Sequence, residues 1–434
     1  MHVSARTPLP VALAVVALAL AASGTLLAVA TPLGSSVADV LFGHDGDADD
    51  RVIARLDNSN SKLAPDASRV DANVEFPQAL SGLPGTPVHL AVDPVSGDLW
   101  FVFFSYGRTA SGDNTLYRYR ESDGTLKVRS IPASGTGSEL YSAIAVDSRG
   151  HVIFAEGGVV LDIDPAGGYE EHQLPAEPLN LMPQQGFLGG YVTDMVLSAN
   201  GKAYLTRRYV AAVTELDLRT GSLKEIPIPA SMFLVRNIDL AGDRLWMTAP
   251  SSTADTPSQT AVLDLTTGVT ESSSFRSFDL VADGQGRVYV SSQKGEGVIA
   301  ADAIDASMED AGPWQLTDEA RGLLNSVSAE SAGTTWAPAL LAADSARGRI
   351  WMAGGGAIGS LEPATNTTEF YRLPSWAASE LQPIHVPIGC QTDRDLCPEP
   401  RGAHTQIGGI AVAPNGDVFF SDTSKHRIGI VHPR

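Results

Sequence analysis

Cysteine is nearly absent from this chain: its 434 residues contain two, Cys390 and Cys397. They lie seven positions apart in the Pro-rich stretch IGCQTDRDLCPEP and read as one local disulfide. A metal site is the alternative, although a pair without further Cys or His at ligand spacing is a poor set for zinc. Basic residues are also scarce, with 30 Lys and Arg against 50 Asp and Glu, and the net charge of −20 argues against nucleic acid or anionic lipid as partner. The sequence has no Gly-rich phosphate loop, no zinc-ligand spacing and no Ser/His/Asp signature. Glycine and proline, by contrast, are plentiful at 42 and 27, which points to a turn-rich protein. The length allows one large all-β domain or two ordinary ones, and 43 % hydrophobic residues is ample for a packed core.

The one long apolar run is VALAVVALALAASGTLLAVA, residues 11–30, preceded by Arg6. A positive end before an apolar run is an export signal with its N-terminus inside. Ala28-Val29-Ala30 has the small-x-small form of a cleavage site, yet the run is long enough to span a bilayer, so a cleaved signal and a retained anchor helix both stay open. No cysteine near residue 30 offers a lipid attachment point. Either reading puts the bulk of the chain outside the cytoplasm. Residues 31–72, including GHDGDADDRV and SNSKLAPDAS, are acidic and polar and read as a linker.

From about residue 86 the sequence repeats a unit of strand, turn, strand, loop, strand, turn, strand. HLAVDPVSGDLWFVF, AIAVDSRGHVIFAE, DMVLSANGKAYLTR, NIDLAGDRLWMTA, DLVADGQGRVYVSS, LLAADSARGRIWMAG and GIAVAPNGDVFFSD open its seven copies. Apolar residues alternate through the strands, and Gly, Asn and Asp supply the positive-φ turns of short hairpins. Four strands per unit at this period is the mark of a β-propeller blade. The seventh unit ends after its third strand at His432-Pro433-Arg434, and NVEFPQAL (73–80), ahead of the first unit, matches the missing outer strand. The expectation is an all-β, seven-bladed β-propeller over 73–434, its last blade completed by that N-terminal strand and preceded by the apolar signal or anchor of 1–30. Long segments at 105–114, 177–191, 250–260, 319–338 and 375–407 fall on one face, where binding residues usually sit.

The unit, as in AIAVDSRGHVIFAE followed by VVLDIDPAGGYEEHQLP, resembles the virginiamycin B lyase (streptogramin lyase) propellers, and more distantly the senescence-marker/gluconolactonase and NHL-repeat propellers. In the lyase family a blade carries a His at the start of its first strand and a Glu fourteen residues later, acting with a second Glu and magnesium by acid/base elimination. Here the corresponding pairs are Ser142 with Glu156, Thr193 with Arg207, Phe278 with Ser292, and Gly408 with Asp422. Blade four, one residue shorter, gives Arg236 with Ala249, and His89 falls one residue out of place in blade one. No blade supplies the family's imidazole, which removes its general acid/base.

What is left is a mixed polar ring of Ser142, Glu156, Thr193, Arg207, Arg236, Ser292 and Asp422. In a functional reading Ser142, Thr193, Arg207, Arg236 and Ser292 bind a ligand while Glu156 and Asp422 act as catalytic carboxylates. In a structural reading the carboxylates pair with the arginines in a wet channel. Glu156, Asn237 and Asp422 would be the set for magnesium or calcium, as the gluconolactonase-type resemblance implies. His385 and His404 lie near the two cysteines and read as exposed. The expectation is a monomeric exported propeller that binds a small molecule or protein on its loop-rich face without catalysis, touching membrane only through its N-terminal segment. The alternative is a metal-assisted lyase or lactonase-type hydrolase at the channel mouth.

Overall fold

A computed structural model describes residues 72–83, 85–104, 114–131, 142–175, 192–232, 234–249, 259–273, 275, 277–292, 298–301, 323–324, 338–374, 407–423 and 425–433, together with the backbone of 51–55. The chain divides into Met1–Asp47, which lies outside the described residues, and Ala48–Arg434. The apolar run 11–30, Cys390, Cys397, His385 and His404 likewise lie outside them. Among the described residues no helix is long and apolar enough to cross a membrane.

The repeat folds as expected into seven antiparallel sheets. The first strands are Thr86–Val92, Ser142–Val146, Val192–Leu197, Asn237–Ala241, Ser277–Ala282, Leu340–Asp344 and Ile407–Val412. Each packs against the next and the last returns to the first, which makes a ring around a channel. The second strands, Leu99–Phe104, Val152–Glu156, Lys202–Arg207, Arg244–Ala249, Val288–Ser292, Arg349–Gly354 and Val418–Asp422, pair antiparallel with them, with a register shift near the start of the first strand in blades one, three, five and seven.

Alternation explains why the second strands are apolar through their middles. Each blade is covered on both faces, so successive side chains feed two different interfaces. In Val152–Glu156, Val152 and Phe154 pack toward blade one while Ile153 and Ala155 pack toward blade three. The buried apolar residues accordingly form seven clusters, one for each blade interface. Trp100, Trp246 and Trp351 sit in three of them. The turns between first and second strands recur as one device. Asp147 Oδ1 accepts from the backbone N–H of Arg149 and of His151 at 2.8 and 3.0 Å, and Gly150 provides φ of 79°. Asp283 and Gly286 repeat the arrangement in blade five.

Ring closure follows the sequence reading. Val74–Glu75 pairs antiparallel with Arg427–Val431, as Val74↔Val431 and Glu75↔Ile430, and so becomes the outer strand of blade seven. Phe76 is 3 % exposed, meets Phe420 edge-on at 5.6 Å and lies 3.5 Å beneath the Arg427 guanidinium. Ala79, Leu80 and Leu83 continue into the cluster between blades seven and one, beside Leu99, Phe419 and Ile430.

Two features depart from four strands per blade. Within the segment read as a linker, the backbone of Arg51–Arg55 adds a fifth strand to blade one, antiparallel to Thr125–Val128 of its outer strand. In blade five the described strands number three.

Removing the Phe76 ring leaves a cavity at the seam and strips one face from Arg427. Phe76→Ala should cost about 3–5 kcal/mol, read as a lower urea midpoint at unchanged slope. Val95→Ala, in a turn where the side chain is 72 % exposed, should leave the midpoint within error.

Candidate functional site

The channel is lined by the first strands, which are edge strands. Their inward N–H groups have no neighbouring strand to bond and need partners of another kind. Three aspartates on consecutive blades provide them. Asp194, Asp239 and Asp279 each accept one hydrogen bond at Oδ1 from the next residue's N–H, at 2.8 Å from Met195, Leu240 and Leu280. Each reaches with Oδ2 to the first strand of the following blade, taking the N–H of Ile238, Ala282 and Leu341 at 2.7 Å. The carboxylates thereby staple blades three, four, five and six together along the channel.

Burial pushes these acids up against the pull of their N–H donors: Asp194 to about 8, and Asp239 and Asp279 to about 6. Their mutual repulsion adds to the rise in Asp194 and Asp239, while the Arg236 guanidinium draws Asp279 down. Asn237 donates its amide to the Asp279 carboxylate and to the Phe278 carbonyl, so it belongs to this acidic sector. The Phe278 side chain beside it is 38 % exposed. Between blades seven and one the device differs: a Cβ at Gly409 would come within 2.7 Å of the Val88 carbonyl, so backbone approaches backbone directly.

The residues singled out from the sequence are distributed around this wall. Ser142 and Glu156 are cross-strand neighbours in blade two, both buried. The Thr193 hydroxyl donates to the Val235 carbonyl at 2.7 Å and lies 2.9 Å from the Thr206 hydroxyl. Arg207 turns away from the channel, with Nη1 donating to the Pro175 carbonyl at 2.8 Å and Nη2 3.1 Å from Glu225 Oε1 on the outer strand of its own blade. Arg236 is exposed at the start of blade four, and Ser292 pairs through its backbone with Ser277. Asp422 is fully buried and accepts from Arg427 Nε at 2.8 Å. The carboxylate–arginine pairs at this level thus form inside single blades, Arg207 with Glu225 and Asp422 with Arg427. Of the residues named for magnesium or calcium, Asn237 serves Asp279 and Asp422 serves Arg427, on blades four and seven.

Sequence reasoning passed over Asp194, Asp239 and Asp279. The available signal was a lone aspartate inside the apolar first strand of three consecutive units, VTDMV, NIDLA and SFDLV.

No family model matches the chain, and no curated protein matches it in sequence. Solved structures do resemble it. A streptogramin B lyase structure is 16 % identical, over 82 % of this chain and 96 % of its own, with a TM-score of 0.50. YCF48 bound to D1 peptide is 13 % identical over 82 % and 96 %, also at 0.50. The RRP9 WD40 repeats are 11 % identical over 84 % and 99 %, at 0.55. At these identities the likeness establishes the β-propeller fold, including the resemblance to the streptogramin lyase that the repeat unit suggested.

Two outcomes follow. Asp422→Ala leaves Arg427 buried without its carboxylate and should cost about 3–5 kcal/mol of stability, measured as a denaturant midpoint. For Asp194, the unfolded chain releases its proton near pH 3.8 and the folded chain holds it to about 8. Its contribution to stability therefore declines as pH rises through that window. The advantage of Asp194→Asn over the unsubstituted protein should grow from pH 5 to pH 8, and a difference that does not change with pH would contradict the assignment.

Proposed function

We propose that this chain is an exported β-propeller that binds a small molecule or protein partner on the face around the channel mouth, without catalysis. The observation that carries the reading is the engagement of the polar side chains at the mouth. Thr193, Arg207, Asn237 and Asp422 each serve a neighbouring blade, outer strand or third strand. A general acid or base needs freedom to exchange its proton with a substrate, and a carboxylate locked to a buried arginine lacks it. The position from which the lyase family presents its imidazole is Ser142, Thr193, Phe278 or Gly408 in the blades that keep its spacing.

The face itself supports binding. The turns from first to second strand are short, whereas the longer segments, among them 105–114, 177–191, 250–260 and 375–407, join strand ends on the mouth side. A propeller of similar fold is known with a bound peptide, the YCF48 structure, which makes peptide recognition on such a scaffold a reasonable model. A net charge of −20 favours neutral or basic partners.

The test is a capture experiment from the envelope fraction using the full chain and a variant with 375–407 replaced by a short Gly/Ser linker. The same partner should be recovered with the intact chain and lost with the variant, and equal recovery would count against the loop-rich face. In parallel, a streptogramin and a simple lactone are incubated with the protein and magnesium. Turnover abolished by Glu156→Gln would replace this reading with a metal-assisted enzyme.

A further inference from the structure

On the face of turns opposite the channel mouth, three side chains from separate segments meet where the ring closes. Glu121 lies in the turn between the third and outer strands of blade one, Asp417 directly before the second strand of blade seven, and His432 just after its third strand. One donor atom from each falls within 4.8 Å of the other two, and all three side chains are half-buried. His432 Nδ1 lies 3.0 Å from Asp417 Oδ1, and its Nε2 lies 3.2 Å from Glu75 Oε2 on the closing strand. Asn415 holds both other carboxylates, donating its amide to Asp417 Oδ2 at 2.7 Å and Glu121 Oε2 at 3.4 Å.

We propose that Glu121, Asp417 and His432 form a site for a divalent cation of the zinc or manganese type, which clips blade one to blade seven across the closure seam. The donor set, one imidazole nitrogen with two carboxylate oxygens, suits these borderline ions. Calcium and magnesium prefer oxygen alone. Three carboxylates, Glu75, Glu121 and Asp417, meet at a single imidazole, an excess of negative charge that a divalent ion between the last two would balance. Glu75 stands outside the triad, where a metal-bound histidine characteristically donates its second ring N–H to a carboxylate. With Glu75 accepting from Nε2, Nδ1, which donates to Asp417 without the ion, is the ring nitrogen that would face a cation held by Asp417 and Glu121. Half-burial leaves the remaining coordination positions to water. The ligands belong to blade one and blade seven, and the orienting carboxylate to the strand that completes the ring, so binding bears on closure rather than on the mouth.

The test uses the full chain, stripped with EDTA and passed through a desalting column after incubation with zinc or manganese. One ion per chain should be retained, and the thermal midpoint should rise by several degrees. Glu121→Gln, at a turn where it supports no core packing, should weaken binding about tenfold or more, and His432→Gln should abolish it. The Cys390→Ser, Cys397→Ser double variant should bind as the unsubstituted chain does. Absence of retained metal overturns the site. So does retention unchanged in Glu121→Gln, or retention lost in the cysteine variant, which would place the ion elsewhere. None of these outcomes depends on what the mouth binds.

Discussion

Everything in this fold depends on one constraint: a blade whose two faces are both apolar cannot stand without a neighbour on each side. Val152 and Phe154 face one partner while Ile153 and Ala155 face the other, so a row of such blades is stable only as a closed ring. Closure therefore bears more than its area suggests. The strand Val74–Glu75 and the Phe76 ring finish the sheet of blade seven and, through Ala79, Leu80 and Leu83, seal its interface with blade one. The backbone of Arg51–Arg55 then covers the outer edge of blade one. Both ends of the closing segment are tied to the two blades that meet at the seam.

A ring made this way carries a second obligation at its centre. Seven first strands turn one edge to the channel, and each inward N–H must find an acceptor or water. Between blades three and six the chain answers with carboxylates, while between seven and one Gly409 lets the two backbones approach closely. The carboxylate solution is costly, because it brings three acids into one sector of the channel wall. Their raised pKa values express that cost. Perturbed acids in a channel would ordinarily suggest catalysis. Here each of the three has both oxygens committed to backbone N–H groups, which makes structure the sufficient explanation.

The architecture was legible in the sequence because it is written seven times. Period-two alternation, Asp-x-x-Gly turns and a missing last strand are local signals, and repetition averages away the exceptions. The polar ring was less legible. Its members were taken from the starts of first strands and the ends of second strands, and sequence spacing correctly placed Glu156 opposite Ser142 and Asp422 at the end of its strand. Spacing does not say which way a side chain turns. Arg207 goes outward to Glu225, and Asp422 goes to Arg427, five residues later in the chain. The staples were harder to read for a different reason. Asp194 finds its partner at Ile238 and Asp279 finds its own at Leu341. These contacts join backbone to side chain across blades, where no residue type on the donating strand announces them. The strand at 51–55 was hidden because five residues in a polar segment carry too little pattern to stand out.

These requirements also explain how structures only 11–16 % identical to this chain share its fold. Alternation, tight turns, a closed seam and satisfied channel edges are conditions on residue class and position, and each can be met in several ways. Within this single molecule, neighbouring blades are tied at the channel by an N–H donating to a carboxylate in one sector and approach backbone to backbone at a glycine in another. The scaffold therefore leaves chemistry almost unconstrained, and activity belongs to whichever positions the scaffold does not use. In this chain Thr193, Arg207, Asn237 and Asp422 are already used by the scaffold. Under the binding role proposed above, specificity falls to the segments that join the strand ends around the mouth.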